Sequence, residues 1–217
     1  HQRLALAQKG NAVDMLILTA TPIPRTLVLT YFGDMDISEL REKPAGRQPI
    51  DTRTIPLDRL SEVEDAVGRA LDEGRRVYWV CPLVDDSEKI DLAAAEARFK
   101  ELRQRFGDKA DLVHGKMKGA DKDRAMQRFA SGETQLLVAT TVIEVGVDVP
   151  EATVMVIEHA ERFGLAQLHQ LRGRIGRGAG QSTCLLLYRA SLGETAKARL
   201  AILRDTEDGF RIAEEDL

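Results

Sequence analysis

From about residue 50 onward, short apolar runs alternate with helical stretches, and this alternation restricts the fold more than any other feature. The strand-like runs fall at 50–55, 77–82, 110–114, 135–140, 153–158 and 183–188. Each is short and rich in Val, Ile, Leu or Tyr, residues that suit a packed, pleated surface. Between them, helical period is read at 61–73, 88–106, 120–130 and 165–171. Ser61 with Glu64 three residues on offers a capping box for the first of these helices. Nearly continuous apolar strands separated by helices imply a parallel sheet covered on both faces. The expected fold class is α/β, a doubly wound parallel sheet, with functional loops at the carboxyl ends of its strands.

The two ends of the chain stand outside that alternation. Residues 1–45 offer a short helix at 3–8, a turn at Lys9-Gly10-Asn11, one apolar strand at 15–18 and a helix from near Pro24. One strand and two helices cannot close a core, so this segment reads as the end of a preceding domain. Residues 42–49, with Pro44, Gly46 and Pro49, read as a linker. The opening His1-Gln2-Arg3, without Met or an apolar leader, reads as the start of a piece of a longer polypeptide. Beyond Tyr188, residues 192–204 are helical by period, and a turn at 206–209 precedes a short final segment. The expected division is 1–45, 46–190 and 191–217.

Hydrophobic residues at 43% and charged residues at 30% fit an ordinary globular protein rather than a disordered one. The longest apolar runs fall far short of a bilayer span, so no membrane partner is expected. A net charge of −4 argues against a general basic sheath for nucleic acid but leaves room for a local basic track. Cys81 and Cys184 lie in apolar runs without metal-ligand spacing and read as core residues of a reduced, cytoplasmic protein.

Within this frame the run from His169 to Gly178 is the richest in chemistry. It sets Arg174 and Arg177 three residues apart beside glycines that let a backbone approach closely. Arginine is permanently charged and forks onto phosphate oxygens, so the pair suits a phosphate chain; a solvated, glycine-punctuated helix end is the plainer reading. Thr140 and Thr141 close a strand, and their hydroxyls suit a sugar–phosphate backbone read without base specificity. Asp148, further along, can accept a hydrogen bond from a ribose hydroxyl; a buried strand with an Asx turn is the alternative. After another strand, Gly115 clears room for a backbone beside His114, and Lys116 and Lys118 can touch phosphate or simply be solvated. Thr19 and Thr21 follow an apolar strand and can relay hydrogen bonds between neighbouring sites, or merely cap a turn. No Gly-x-x-x-x-Gly-Lys-[Ser/Thr] loop occurs among the 217 residues, so nothing in them cradles a nucleotide's phosphates or its magnesium. An arginine pair without such a cradle resembles an arginine finger separated from its site.

In its motifs the chain resembles the second motor lobe of the superfamily-two helicases. TATPIPRT (19–26) is similar to their third motif, LVATTVIEVGVDVP (137–150) to the fifth and QLRGRIGRG (170–178) to the sixth, in the right order. HGKM (114–117), followed by Arg124, Phe129 and Gly132, matches a further shared element. GRRVYWVCPLVDDSE, FGLAQLHQLRGRIGRG and the terminal LRDTEDGFRIAEEDL resemble the branch that remodels branched DNA, so the likeness covers essentially the whole chain. Translocases that couple transcription to repair share several of these motifs, but the YWVCPLVDDSE stretch favours the former.

The resemblance implies a RecA-like second helicase lobe with a partial first-lobe segment and a C-terminal helical tail. It implies ATP between two lobes, with the phosphate loop, the Mg2+ carboxylates and an N-terminal wedge domain upstream. Arg174 and Arg177 would reach the γ-phosphate, Gly146 and Asp148 would lie toward the nucleotide, and Gln170 would take part in catalysis. Gln170 with Thr19 and Thr21 would couple nucleotide state to the grip on DNA. His114, Gly115, Lys116, Thr140 and Thr141 would hold one strand's backbone. The tail looks like the start of a helical hairpin that couples hydrolysis to translocation. The implied partner is branched or duplex DNA, the acting unit a monomer, and the chain alone inactive. A transcription-coupled repair translocase and a non-catalytic α/β module that binds nucleic acid or protein remain as alternatives.

Overall fold

Among the described residues six strands form one fully parallel sheet: β1 (Ile50–Pro56), β2 (Arg76–Val80), β3 (Ala110–Val113), β4 (Leu136–Ala139), β5 (Ala152–Ile157) and β6 (Ser182–Tyr188). Their spatial order is β1-β6-β5-β2-β4-β3. The computed structural model describes residues 38–40, 42, 47–82, 88–140 and 149–216. Among these residues the helices are α1 (Leu60–Asp72), α2 (Glu88–Phe106), α3 (Gly119–Ser131), α4 (Leu165–Arg172), α5 (Glu194–Asp205) and α6 (Gly209–Glu215). No helix of the described residues is long and apolar enough to cross a membrane.

The chain steps outward from β1 through β2 to the far edge at β3, then returns through β4 and β5 to β6. Right-handed crossovers place the helices of the outward steps on one face and those of the return steps on the other. The side chains agree. Val77, Trp79 and Cys81 share a buried cluster with Val63, Val67 and Leu71 of α1 and with Ala95 and Leu102 of α2. Tyr78 and Val80 share the opposite cluster with Phe129 of α3 and with Leu165, Leu168 and Leu171 of α4. Tyr78 and Phe129 pack as a tilted pair, 4.9 Å between ring centroids and 52° between ring planes. Strands buried on both faces need apolar residues at every position, which is why they read as continuous runs.

Helices α5 and α6 extend the second cluster through Leu200, Leu203 and Ile212, so the tail is packed onto the lobe. The final segment is itself a helix, capped by Asp208, whose side chain accepts from Phe210 N. One expectation fails at α1. Ser61 is not its cap: a 3-10 turn at Leu57–Arg59 feeds directly into the helix, which begins at Leu60. Glu64 faces α2 instead, with Arg105 Nη1 at 2.7 Å and Arg98 Nη1 at 3.8 Å.

Candidate functional site

The two groups of residues singled out from the sequence fall at opposite edges of the sheet. Helix α4 joins two parallel strands, so it must run from the carboxyl edge, where β5 ends, back to the amino edge, where β6 begins. Arg174 and Arg177 follow its last turn and therefore sit at the amino edge. The arginine loop therefore lies away from the carboxyl ends of the strands, where functional loops were expected.

The loop that carries the arginines is closely held. Gly176 has φ +74°, and a Cβ there would stand 3.0 Å from Ile50 Cγ1 at the start of β1. A Cβ on Gly178 would meet the Pro150 carbonyl oxygen at 2.7 Å, a contact with backbone that only glycine avoids. The close approach inferred from these glycines is thus to the protein's own chain. Arg75 binds the far end of the loop, with Nε donating to Thr153 Oγ1 at 2.8 Å and Nη2 to the Gln181 carbonyl at 3.1 Å. Arg177 is exposed and its Nε donates to the Gly173 carbonyl at 3.3 Å; Arg174 is half-buried and Gln170 exposed.

Arg172, which sequence reasoning passed over, is only 2% exposed. Its Nη1 donates to the Leu203 carbonyl near the end of α5 and lies 3.5 Å from Thr52 Oγ1, and its Nη2 lies 3.1 Å from His169 Nδ1. Burial lowers its pKa from the ordinary arginine value, yet a guanidinium stays charged at any ordinary pH. The residue ties the motif helix to β1 and to the tail. Only its place in an arginine-rich run hinted at it, because two of its three partners lie 31 and 120 residues away.

At the carboxyl edge, His114 and Thr140 end neighbouring strands, joined by Thr140 N donating to the Val113 carbonyl at 3.3 Å. Thr140 is 1% exposed and His114 half-buried. Thr140 Oγ1 and His114 Nδ1 are buried and without a hydrogen-bond partner among the described residues. Buried polar atoms left unsatisfied in this way cost stability and are uncommon. Gly115 and Lys116 are exposed in the turn that follows, and Lys122 Nζ donates to the Gly115 carbonyl at 2.8 Å. Thr141, Gly146 and Asp148 on the connection to β5, and Thr19 and Thr21, lie outside the described residues.

Burial, outweighing an opposing pull from Glu96 and aided by Lys122 and Lys116, holds the His114 pKa below the ordinary 6.5. Below that pH the unfolded chain binds a proton that the folded chain resists, so stability is present above the ordinary value and lost as pH falls from there through the lower folded value. His114→Gln is expected to flatten this acid limb in urea titrations run between pH 7 and 5. An unchanged slope would show that the ring is as easily protonated folded as unfolded.

A third constellation closes the same edge. Glu158, just past β5 and 6% exposed, accepts from Trp79 Nε1 at 2.5 Å and from Arg98 of α2, Nε at 2.6 Å and Nη2 at 3.3 Å. Its proximity adds to burial in raising the pKa of the Cys81 thiol. The Cys184 thiol is pushed up to about 12 by burial, so both cysteines behave as core residues.

A family model for the helicase conserved C-terminal domain matches residues 58–179, more than half of the chain. The chain belongs to that family. Along its whole length it is similar to the ATP-dependent DNA helicase RecG of Escherichia coli strain K12, 53% identical over 223 residues, and to that of Bacillus subtilis strain 168, 47% identical over 219. Its fold superposes on the solved structure of RecG bound to a three-way DNA junction with TM-score 0.81 and 44% identity, covering 96% of this chain and 27% of that one. The chain spans 32% of the length of each of these two curated relatives.

Proposed function

We propose that the chain is the C-terminal motor portion of an ATP-dependent helicase that remodels branched DNA, such as stalled forks and Holliday junctions, in recombination and repair. Residues 46–190 form its second RecA-like lobe, 191–217 begin a helical hairpin, and 1–45 complete the first lobe. The observation that carries this reading is the clamped loop at the amino edge: two guanidinium groups three residues apart, on a backbone fixed by Gly176, Gly178 and Arg75. Such a loop can present cations to a triphosphate held elsewhere, since the chain has no phosphate cradle of its own.

In this mechanism ATP with Mg2+, bound by the first lobe, supplies the free energy. Arg174 and Arg177 would meet charge developing on the γ-phosphate, Gln170 would take part in catalysis, and Gly146 and Asp148 would contribute to nucleotide binding. At the other edge, Thr140, Thr141, His114, Gly115 and Lys116 hold a strand by its backbone, and the unsatisfied Thr140 Oγ1 and His114 Nδ1 suit phosphate oxygens or sugar hydroxyls. Thr19 and Thr21 couple the two. Lobe closure and opening then carries the protein along DNA as an allosteric cycle.

The test is phosphate release with Mg-ATP and a three-way junction. The full-length protein is expected to hydrolyse ATP when the junction is added, and the 217-residue chain alone to release none. Sustained, magnesium-dependent hydrolysis by the chain alone would overturn the two-lobe reading.

A further inference from the structure

We propose that Arg47, three residues before β1, is a positioning residue for Arg174. The proposal rests on the arginine-finger reading above and adds to it a side chain that no motif marks. Helix α4 ends at Arg172, and the carbonyls beyond a helix end need partners from outside the helix. The N–H groups of the loop are taken by a tightening turn: Gly173 N donates to the His169 carbonyl and Arg174 N to that of Leu171, both at 3.0 Å, and Ile175 N to that of Arg172 at 3.3 Å. Two of the carbonyls are taken by one group. Arg47 Nη2 donates to Gly173 O and to Ile175 O, each at 3.4 Å. These carbonyls belong to the residues on either side of Arg174, so Arg47 grips the backbone on both sides of the finger.

The placement works against simple electrostatics. Arg47 lies close enough to the buried Arg172 to oppose its charge, and its partner carbonyl on Gly173 already accepts from Arg177. A cation among cations is tolerated here because the α4 C-terminus presents the negative end of its dipole. The same segment makes two more contacts. Ile50 fills the space that a side chain on Gly176 would need, and Ile50 N donates to the Glu207 carboxylate in the turn between α5 and α6. Residues 47–50 are thus fastened to the finger loop on one side and to the tail on the other.

The experiment uses the full-length protein. Arg47→Ala is expected to lower the kcat of DNA-stimulated ATP hydrolysis on the order of 10–100-fold, the scale of a reacting group displaced by about 1 Å. KM for ATP and affinity for a three-way junction should stay near wild type, and Arg47→Lys, which keeps a donor, should recover most of the rate. Because Arg47 acts through Arg174, the double variant Arg47→Ala/Arg174→Ala should be no slower than Arg174→Ala alone. Wild-type kcat in Arg47→Ala, or losses that multiply in the double variant, would sink the proposal while leaving the finger reading intact. Normal turnover in Arg174→Ala would instead remove the finger reading, and this proposal with it. Should Arg47→Ala fail to fold, Arg47→Met, which keeps the stem but offers no N–H donor, gives the same comparison.

Discussion

Replacing Arg174 by Ala in the full-length protein is expected to lower DNA-stimulated ATP hydrolysis by roughly 10³–10⁵-fold, the range measured for arginine fingers in GTPases. That corresponds to roughly 4–7 kcal/mol of transition-state stabilisation. Junction affinity should hardly change. The reason is geometric: Arg174 lies at the amino edge of the sheet, whereas His114 and Thr140 lie at the carboxyl edge. Strands of 4 to 7 residues separate those edges by roughly 13–23 Å, well beyond the screening length of about 8 Å in physiological salt. Turnover and junction affinity measured on one preparation decide the matter. A loss of both together would place Arg174 in the DNA grip, and near wild-type turnover would remove it from the mechanism.

The elements that could be read from the sequence are those whose cause is local. Each strand of a sheet buried on both faces carries its own apolar run, and all six fell within two residues of their expected bounds. The helices between them were equally plain, apart from the start of α1, where a 3-10 turn replaced the cap expected at Ser61. The motif residues were legible as candidates, but the edge each one occupies was not. That depends on α4 returning across the sheet, and a rule that holds for strand ends says nothing about a helix end. Contacts between distant segments left no local trace. Arg172 with Leu203, Arg47 with Ile175 and Glu158 with Trp79 each join residues more than thirty positions apart. Arginine and glutamate in such places look like ordinary surface residues until the fold buries them.

Glu158 carries the largest expected effect on stability. Its carboxylate is buried between an indole N–H with no exposure and a guanidinium whose side chain is 18% exposed, and it bonds to both. Glu158→Ala removes the acceptor, leaves the Trp79 N–H unsatisfied, and leaves the largely desolvated Arg98 with only Glu101 at 2.5 Å and Glu64 at 3.8 Å to offset its charge. Breaking a buried pair from one side costs about 3–5 kcal/mol when the remaining charge has no other partner, and because Arg98 keeps Glu101 and Glu64 the loss is expected at the lower end, about 3 kcal/mol. Glu158→Gln still offers an oxygen to Trp79 but gives up the charge, so its cost should be smaller, about 1.5–3 kcal/mol. Replacing both partners, Glu158→Leu with Arg98→Met, should be far milder than Glu158→Ala, since no buried charge is left alone. Trp79 is the sole tryptophan, and its fluorescence reports the site directly in a guanidinium titration. A Glu158→Ala variant within about 1 kcal/mol of wild type, the usual size of an exposed ion pair, would mean that water reaches this carboxylate and that its burial contributes nothing.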